Sequence, residues 1–221
     1  MTSPPFETFP ALAQLDLPHA FVGRVPGVEL SNDKTTILAR LDEIHRRARL
    51  DIGVARYAFA TAQQVHGDRV AVIEAPFPHD RCFDHSDGLI TNQRNVCLGI
   101  YVADCCAAYL ADRNGRAIGL VHSGKKGTEL AIVPNAIALL KSRFDVDPAD
   151  LIVQLSPCIR PPHYEVDFAA QIVEQCRDSG VREIHDSGIC TACDLTRYYS
   201  YRAEKGRTGR MLALLGFAPE R

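Results

Sequence analysis

The stretch that decides the fold is Val96-Cys-Leu-Gly-Ile-Tyr-Val102-Ala-Asp-Cys105-Cys-Ala-Ala-Tyr-Leu110-Ala-Asp-Arg-Asn114-Gly115-Arg-Ala117-Ile-Gly-Leu-Val121-His122. Val96 to Val102 is a continuous apolar run of strand length, which suits a sheet buried on both faces. Ala107 to Leu110 either prolongs that chain direction or opens a second strand. Asn114-Gly115 is a strong hairpin signal, because the favoured two-residue turn needs positive φ at its centre. Ala117 to Val121 is then the returning strand.

Working outward, Leu151 to Leu155 and Val70 to Ile73 read as further strands, and Tyr57-Ala-Phe-Ala as a strand leading into Gln64-Val65-His66-Gly67. Ser31, Asn32 and Asp33 are caps for a helix from about Lys34 to Leu50, where Ile37, Leu38, Leu41 and Ile44 recur at helical spacing. Thr128 to Phe144 has a helical pattern in which Pro134 demands a late start or a kink. Asp167 to Asp178 is a second amphipathic helix, stopped at Ser179-Gly180. Pro76, Pro78 and Asp80 mark a loop that closes at Asp87-Gly88, and Met211 to Leu215 is a last apolar run. Residues 1–20, with Pro4, Pro5, Pro10 and Pro18, read as an irregular or extended lead-in. There is no repeat and no obvious linker. The expectation is one α+β domain over residues 1–221.

The 221 residues are 46% hydrophobic and 24% charged, with a formal net charge of −2. That balance provides no basic footprint for nucleic acid or an acidic membrane. No stretch approaches the roughly 20 apolar residues of a spanning helix. Met1 to Leu17 lacks a basic segment followed by an apolar core, so a signal peptide is not expected and a cytoplasmic protein is. The eight cysteines lie mostly in or beside apolar runs, where free thiols behave as small hydrophobes, and reduced thiols are expected.

His66, Cys105 and His122 each follow a strand and precede small residues, which lets a ligand come close. Two imidazoles and a thiolate make a three-ligand zinc site with an open fourth position. The same trio equally suits a cysteine nucleophile activated by histidine, or a core thiol with two structural histidines. Asp104 either orients a ligand histidine from behind or caps the following turn. Gly124-Lys125-Lys126-Gly127-Thr128 precedes a helix and offers an anion site without P-loop spacing. Arg202 and Arg210 flank a basic loop and are either phosphate holders or surface charges. Cys190-x-x-Cys193 invites a redox or zinc-knuckle reading, but no second CxxC or histidine pair completes it, so packing is expected.

In order along the chain, Gln64-Val-His66-Gly67, Asp87-Gly-Leu-Ile-Thr91, Ala103-Asp-Cys105, Gly119-Leu-Val-His122-Ser-Gly124, Pro157-Cys-Ile159, Tyr164-Glu-Val166, Cys190-Thr191, Tyr199-Ser-Tyr-Arg202 and Thr208-Gly-Arg210 resemble one family. It is the laccase-domain (YfiH-like) family, long labelled polyphenol oxidases and regarded as zinc-dependent purine nucleoside phosphorylases. The resemblance runs from about Tyr57 to Leu215. It implies an α+β fold with mixed sheets layered between helices, and zinc held by His66, Cys105 and His122. It implies phosphorolysis of adenosine- or inosine-type nucleosides to base and ribose 1-phosphate, with adenosine deamination and methylthioadenosine cleavage as associated activities. Lys126, Arg202 and Arg210 would then hold phosphate, and Asp104 would stand behind the metal.

The chain also departs from that pattern. Where the family has HAGWRG it reads His122-Ser-Gly-Lys-Lys-Gly127, so an aromatic platform and an arginine become point charges. The family's N-terminal SLNLG-like motif has at best a remnant in Phe21-Val-Gly-Arg24-Val-Pro-Gly27. Two competing readings follow: a metal-free cysteine hydrolase using Cys105, His122 and Asp104, and a non-catalytic nucleoside- or metal-binding protein. Copper is the second ion for a His₂Cys set by the Irving–Williams order. A multicopper oxidase, however, needs closely spaced histidine pairs, and the eight histidines contain no HxH.

Overall fold

The computed structural model describes residues 5–75 and 77–217. In chain order its elements are β1 (Phe6–Glu7), α1 (Pro10–Ala13), β2 (His19–Val22), α2 (Lys34–Asp51), β3 (Ala58–Ala62), β4 (Val70–Ile73), β5 (Arg81–Phe83) and β6 (Gly88–Thr91). They continue with β7 (Val96–Val102), β8 (Cys106–Asp112), β9 (Ile118–Ser123), α3 (Lys125–Glu129), α4 (Ile132–Phe144), β10 (Leu151–Leu155), α5 (Phe168–Asp178), β11 (Glu183–Asp186) and β12 (Met211–Phe217).

Two mixed six-stranded sheets result, with strand orders β1-β2-β12-β7-β3-β5 and β11-β10-β8-β9-β6-β4. Period-two alternation assigns their faces. Leu98, Ile100 and Val102 of β7 meet Tyr109, Ile118, Leu120, Ala213 and Leu215 in a core between the sheets. On its other face Cys97 joins Leu212, Leu214, Ala48 and Val54 beneath α2. Cys106, Ala108, Leu110, Val121 and Val153 turn outward from the second sheet onto Ile137, Leu140, Phe168 and Ile172 of α4 and α5. The layers therefore run helix, sheet, sheet, helices, the mixed α+β arrangement expected.

The continuous apolar run ends where the chain changes sheet. β8 is a new strand: it pairs antiparallel with β9 and β10, whereas β7 pairs with β3 and β12. The crossing is Ala103-Asp104-Cys105, with Asp104 at φ 83°. The β8–β9 hairpin turns at Asn114-Gly115, where Gly115 has φ 68°. The Asp33 carboxylate caps α2 by accepting from Thr36 N at 2.7 Å. Asp167 caps α5 by accepting from Ala170 N at 3.0 Å.

Two expectations are corrected. The lead-in is not irregular throughout: β2 is wholly buried and pairs with β1 and β12. Its prolines fit because Pro10 opens α1, where no intrahelical N–H is needed, and Pro18 precedes β2. The helix expected over Thr128–Phe144 is two helices, α3 and α4, broken at Ala131 with φ 55°. Pro134 falls in the first turn of α4, where its missing N–H costs nothing. Residues 1–4, including Pro4, and the loop residue Pro76 lie outside the described residues. Among the described residues no helix is long and apolar enough to cross a membrane.

Candidate active site

His66 stands in the loop after β3, Cys105 at the sheet crossing, and His122 on β9. The fold brings one ligand atom of each within 4.8 Å of the others. The two imidazoles lie edge to face with centroids 4.8 Å apart. His122 is buried, Cys105 half-buried and His66 exposed, so the group opens to solvent on one side.

Asp87, immediately before β6 and fully buried, organises the trio. One carboxylate accepts from Val65 N, His66 N and Gly67 N at 3.0, 2.9 and 2.8 Å, and meets His122 Nδ1 at 2.8 Å. His66 at φ 59° gives the loop the curvature that aims three successive amides at one anion. Burial alone would raise Asp87, but the His122 bond and the Gly67 and Val65 amides outweigh it and bring it down to about 2. With Nδ1 bound to Asp87, His122 presents Nε2 towards the other two residues.

Burial opposes charge on Cys105 and His122 as well, yet their mutual attraction prevails. Cys105 falls to about 6 beside the two histidines, and His122 rises to about 9 beside Cys105 and Asp87. A thiolate and two imidazoles, one with a carboxylate behind it, are a donor set suited to a zinc-class ion. Space at the sulfur is also reserved: a Cβ on Gly124 would lie 2.5 Å from Cys105 Sγ. The residues present therefore fit a bound metal.

The trio forms part of the floor of a cleft of about 650 Å³, within the range of small-molecule sites. Lys34, Lys125, Lys126, Arg202 and Arg210 line it, together with Tyr101, Tyr164, Phe168 and Tyr201. Arg202 lies over the Tyr164 ring at 4.6 Å and pairs with Glu165 at 3.0 Å. Partial burial lowers both Lys34 and Arg210, and the Arg210 charge lowers Lys34 further. Gln64 pairs edge-on with the Tyr101 backbone, donating to its O at 2.7 Å and accepting from its N at 3.2 Å.

His66, Asp104, Cys105, His122, Lys126, Arg202 and Arg210 thus line one cleft, but Asp104 has a different task from orienting a histidine. Its carboxylate accepts from Thr191 Oγ1 and Arg202 N, both at 2.7 Å, and pins the Arg202 loop to the crossing. The carboxylate on His122 is Asp87, which sequence reasoning took as the end of a loop and the start of one resemblance motif, with no role at the site. Lys34 was missed too, because it begins α2 and reads as part of a solvated helix face. Cys190 and Cys193 are not simply packed: Cys193 is exposed and both sulfurs face His163.

Comparison with known proteins agrees with this architecture. A purine nucleoside phosphorylase of Deinococcus radiodurans is 31% identical, over 98% of this chain and 95% of its own. Purine nucleoside phosphorylase YlmD of Geobacillus stearothermophilus is 27% identical, over 97% and 92%. The crystal structure of Geobacillus stearothermophilus YlmD superposes with a TM-score of 0.82 at 22% identity, covering 96% of this chain and 94% of that one. Bacillus licheniformis YfiH superposes at 0.79 and 20% identity, covering 91% and 93%. The family model described as multi-copper polyphenol oxidoreductase laccase matches residues 27–175 and 165–218. Spanning the His66, Cys105 and His122 segments and both sheets, that match makes this chain a member of the multi-copper polyphenol oxidoreductase laccase family.

Proposed function

We propose that the cleft binds a purine nucleoside and phosphate and catalyses phosphorolysis to the free base and ribose 1-phosphate. The observation that carries this reading is the meeting, in one cleft, of the His66–Cys105–His122 group, five cationic side chains and four aromatic rings. The similarity to purine nucleoside phosphorylases supports it.

In such a reaction a phosphate oxygen forms a bond to the anomeric carbon while the glycosidic C–N bond breaks. The bonding pair leaves with the purine, which then takes a proton. Lys126, Arg202 and Arg210 are assigned to the phosphate, with Lys34 and Lys125 adding positive charge beside it. Holding the two reactants together removes much of the entropic barrier. The cations also offset charge on the attacking oxygen without reorganising. Tyr101, Tyr164 and Tyr201 give flat surfaces against which a purine can stack.

His66, Cys105 and His122 would hold zinc, with copper the less favoured ion. A metal there supplies Lewis-acid polarisation of a bound oxygen or nitrogen. Asp87 keeps His122 in the tautomer whose Nε2 is free, and Asp104 holds the Arg202 loop over the cleft. The thiolate of Cys105 is on this reading a ligand. A second reading rests on the mutual pKa shifts: thiolate Cys105 beside protonated His122, itself backed by Asp87, is a nucleophile–base layout for a metal-free hydrolase.

Incubation of the protein with adenosine, with and without phosphate, tests the proposal by chromatography of the products. Adenine and ribose 1-phosphate formed only with phosphate are expected. Inosine in the same chromatogram reports the deaminase activity implied by the family resemblance, and methylthioadenosine as substrate reports the other. Free ribose independent of phosphate, or activity indifferent to a chelator, favours the hydrolase.

A further inference from the structure

Outside the cleft, three more side chains of metal-ligating type converge, beside Thr191, whose hydroxyl bonds Asp104. His163 Nδ1 lies 3.7 Å from Cys190 Sγ and 3.6 Å from Cys193 Sγ. All three ligand atoms lie within 4.8 Å of one another. The residues come from two loops, one after β10 and one after β11.

Backbone hydrogen bonds support this arrangement, and Cys190 Sγ donates to Arg160 O at 3.8 Å. Cys193 N donates to Cys190 O at 3.1 Å, and Thr191 N donates to Cys158 O at 3.2 Å. His163 N donates to Arg160 O at 2.9 Å and so fixes the turn that presents the imidazole. Cys190 is half-buried against the outer core, whereas Cys193 and His163 are exposed. An ion can therefore reach the sulfurs from solvent.

The distances are those of a ligand set. With Zn–S of about 2.3 Å and Zn–N of about 2.0–2.1 Å, the S···N edge of a tetrahedral site is about 3.6 Å. Both observed edges match it. Two thiolates and an imidazole select thiophilic ions, and Cys-x-x-Cys with a histidine is a usual source of them.

We propose that His163, Cys190 and Cys193 form a second metal site for a zinc-class divalent cation, separate from the His66–Cys105–His122 group, with water in the fourth position. The ion would clamp together two loops that serve the cleft. The first carries Ile159 and Tyr164, which line it, and the second carries Thr191, whose hydroxyl donates to Asp104. The site's role is structural: it sets one wall of the cleft and takes no part in the chemistry.

Cobalt(II) titration of the reduced 221-residue Cys105→Ala protein isolates this site, since the first group then has no thiolate. The expected result is a thiolate-to-cobalt charge-transfer band that saturates at one ion per chain. Adding Cys193→Ser should abolish the band, and adding His163→Ala should weaken cobalt binding at least tenfold. Both positions are exposed, and unchanged melting of the metal-free variants confirms that they fold. Zinc should displace the cobalt and raise the melting temperature of Cys105→Ala but not of Cys105→Ala/Cys193→Ser. No band in the reduced Cys105→Ala protein, or a band that survives Cys193→Ser, would overturn the proposal. So would a Cys190–Cys193 pair that purifies as a disulfide and, once reduced, still takes up no cobalt.

Discussion

Asp87 shows how much a single carboxylate can organise. It binds three amides of the His66 loop and the imidazole of His122, which makes it the common support of two of the three proposed ligands. Asp87→Asn replaces one acceptor oxygen by a donor facing N–H groups, and a buried mismatch of that kind costs roughly 1–3 kcal/mol. Metal affinity should fall about 10- to 100-fold, as for other carboxylates behind ligand histidines, read by competition with a chromophoric chelator. The lowered carboxyl also has a pH signature. Its stabilisation is complete above the ordinary value of 3.8 and is lost as pH falls through about 2. Gly124 is the second residue with a narrow tolerance. In Gly124→Ala the new methyl would meet Cys105 Sγ at 2.5 Å, so the sulfur must move. We expect activity and metal binding to fall at least tenfold with little change in melting temperature; wild-type activity in this variant would show that the position of the sulfur is not critical.

At the scale of the element, α2 couples stability to pH. His45 lies on its buried face against Tyr101, with ring centroids 5.6 Å apart, and neither ring nitrogen has a partner among the described residues. Burial pushes it down to about 4, with Asp42 opposing weakly. A group lowered in the folded state favours folding above its unfolded value, near 6.5. That advantage is lost as pH falls towards 4, a loss of up to about 3 kcal/mol. Urea unfolding at pH 7 and pH 4.5 should show this loss, and His45→Leu should shrink it; an unchanged pH dependence in the variant would assign the loss elsewhere. Much at this scale was legible in sequence. α2, β7, β10 and α5 follow from caps and periodicity that each segment carries within itself. β2 was not legible, because its four residues gain their burial from β12, nearly two hundred positions away. The same non-locality hid Asp87, whose partners come from the loop at 65–67 and from His122 on β9, and His163, which means little until the Cys190 turn is beside it. His66, Cys105 and His122 were found because each marks a strand end, a feature visible locally. Asp87 left one usable signal: a charged residue opening an apolar strand must be paired if buried.

Across the whole molecule, the proposed site exists only where the two sheets exchange the chain. Its cations come from α2, α3 and the loop before β12, so a near-neutral protein carries a locally positive cleft. Two consequences follow for phosphate. Lys126→Ala and Arg210→Ala should each raise the KM for phosphate several-fold more than the KM for nucleoside, and added salt should raise it further through screening. A ligand that binds only the folded state also stabilises it: phosphate at one hundred times its Kd adds about 2.7 kcal/mol. For a chain of this size that is a rise in melting temperature of roughly 5–10 °C. Differential scanning fluorimetry across a phosphate series checks this, and a flat series would remove phosphate from the cleft.

The most direct test of the central claim is phosphate-dependent cleavage of adenosine by zinc-loaded wild type beside Cys105→Ala, with metal content measured on both samples. The account predicts adenine and ribose 1-phosphate from the wild type only when phosphate is present. In Cys105→Ala it predicts loss of both the reaction and one metal ion per chain. Cleavage by Cys105→Ala at the wild-type rate, or equal cleavage by the wild type without phosphate, would contradict it.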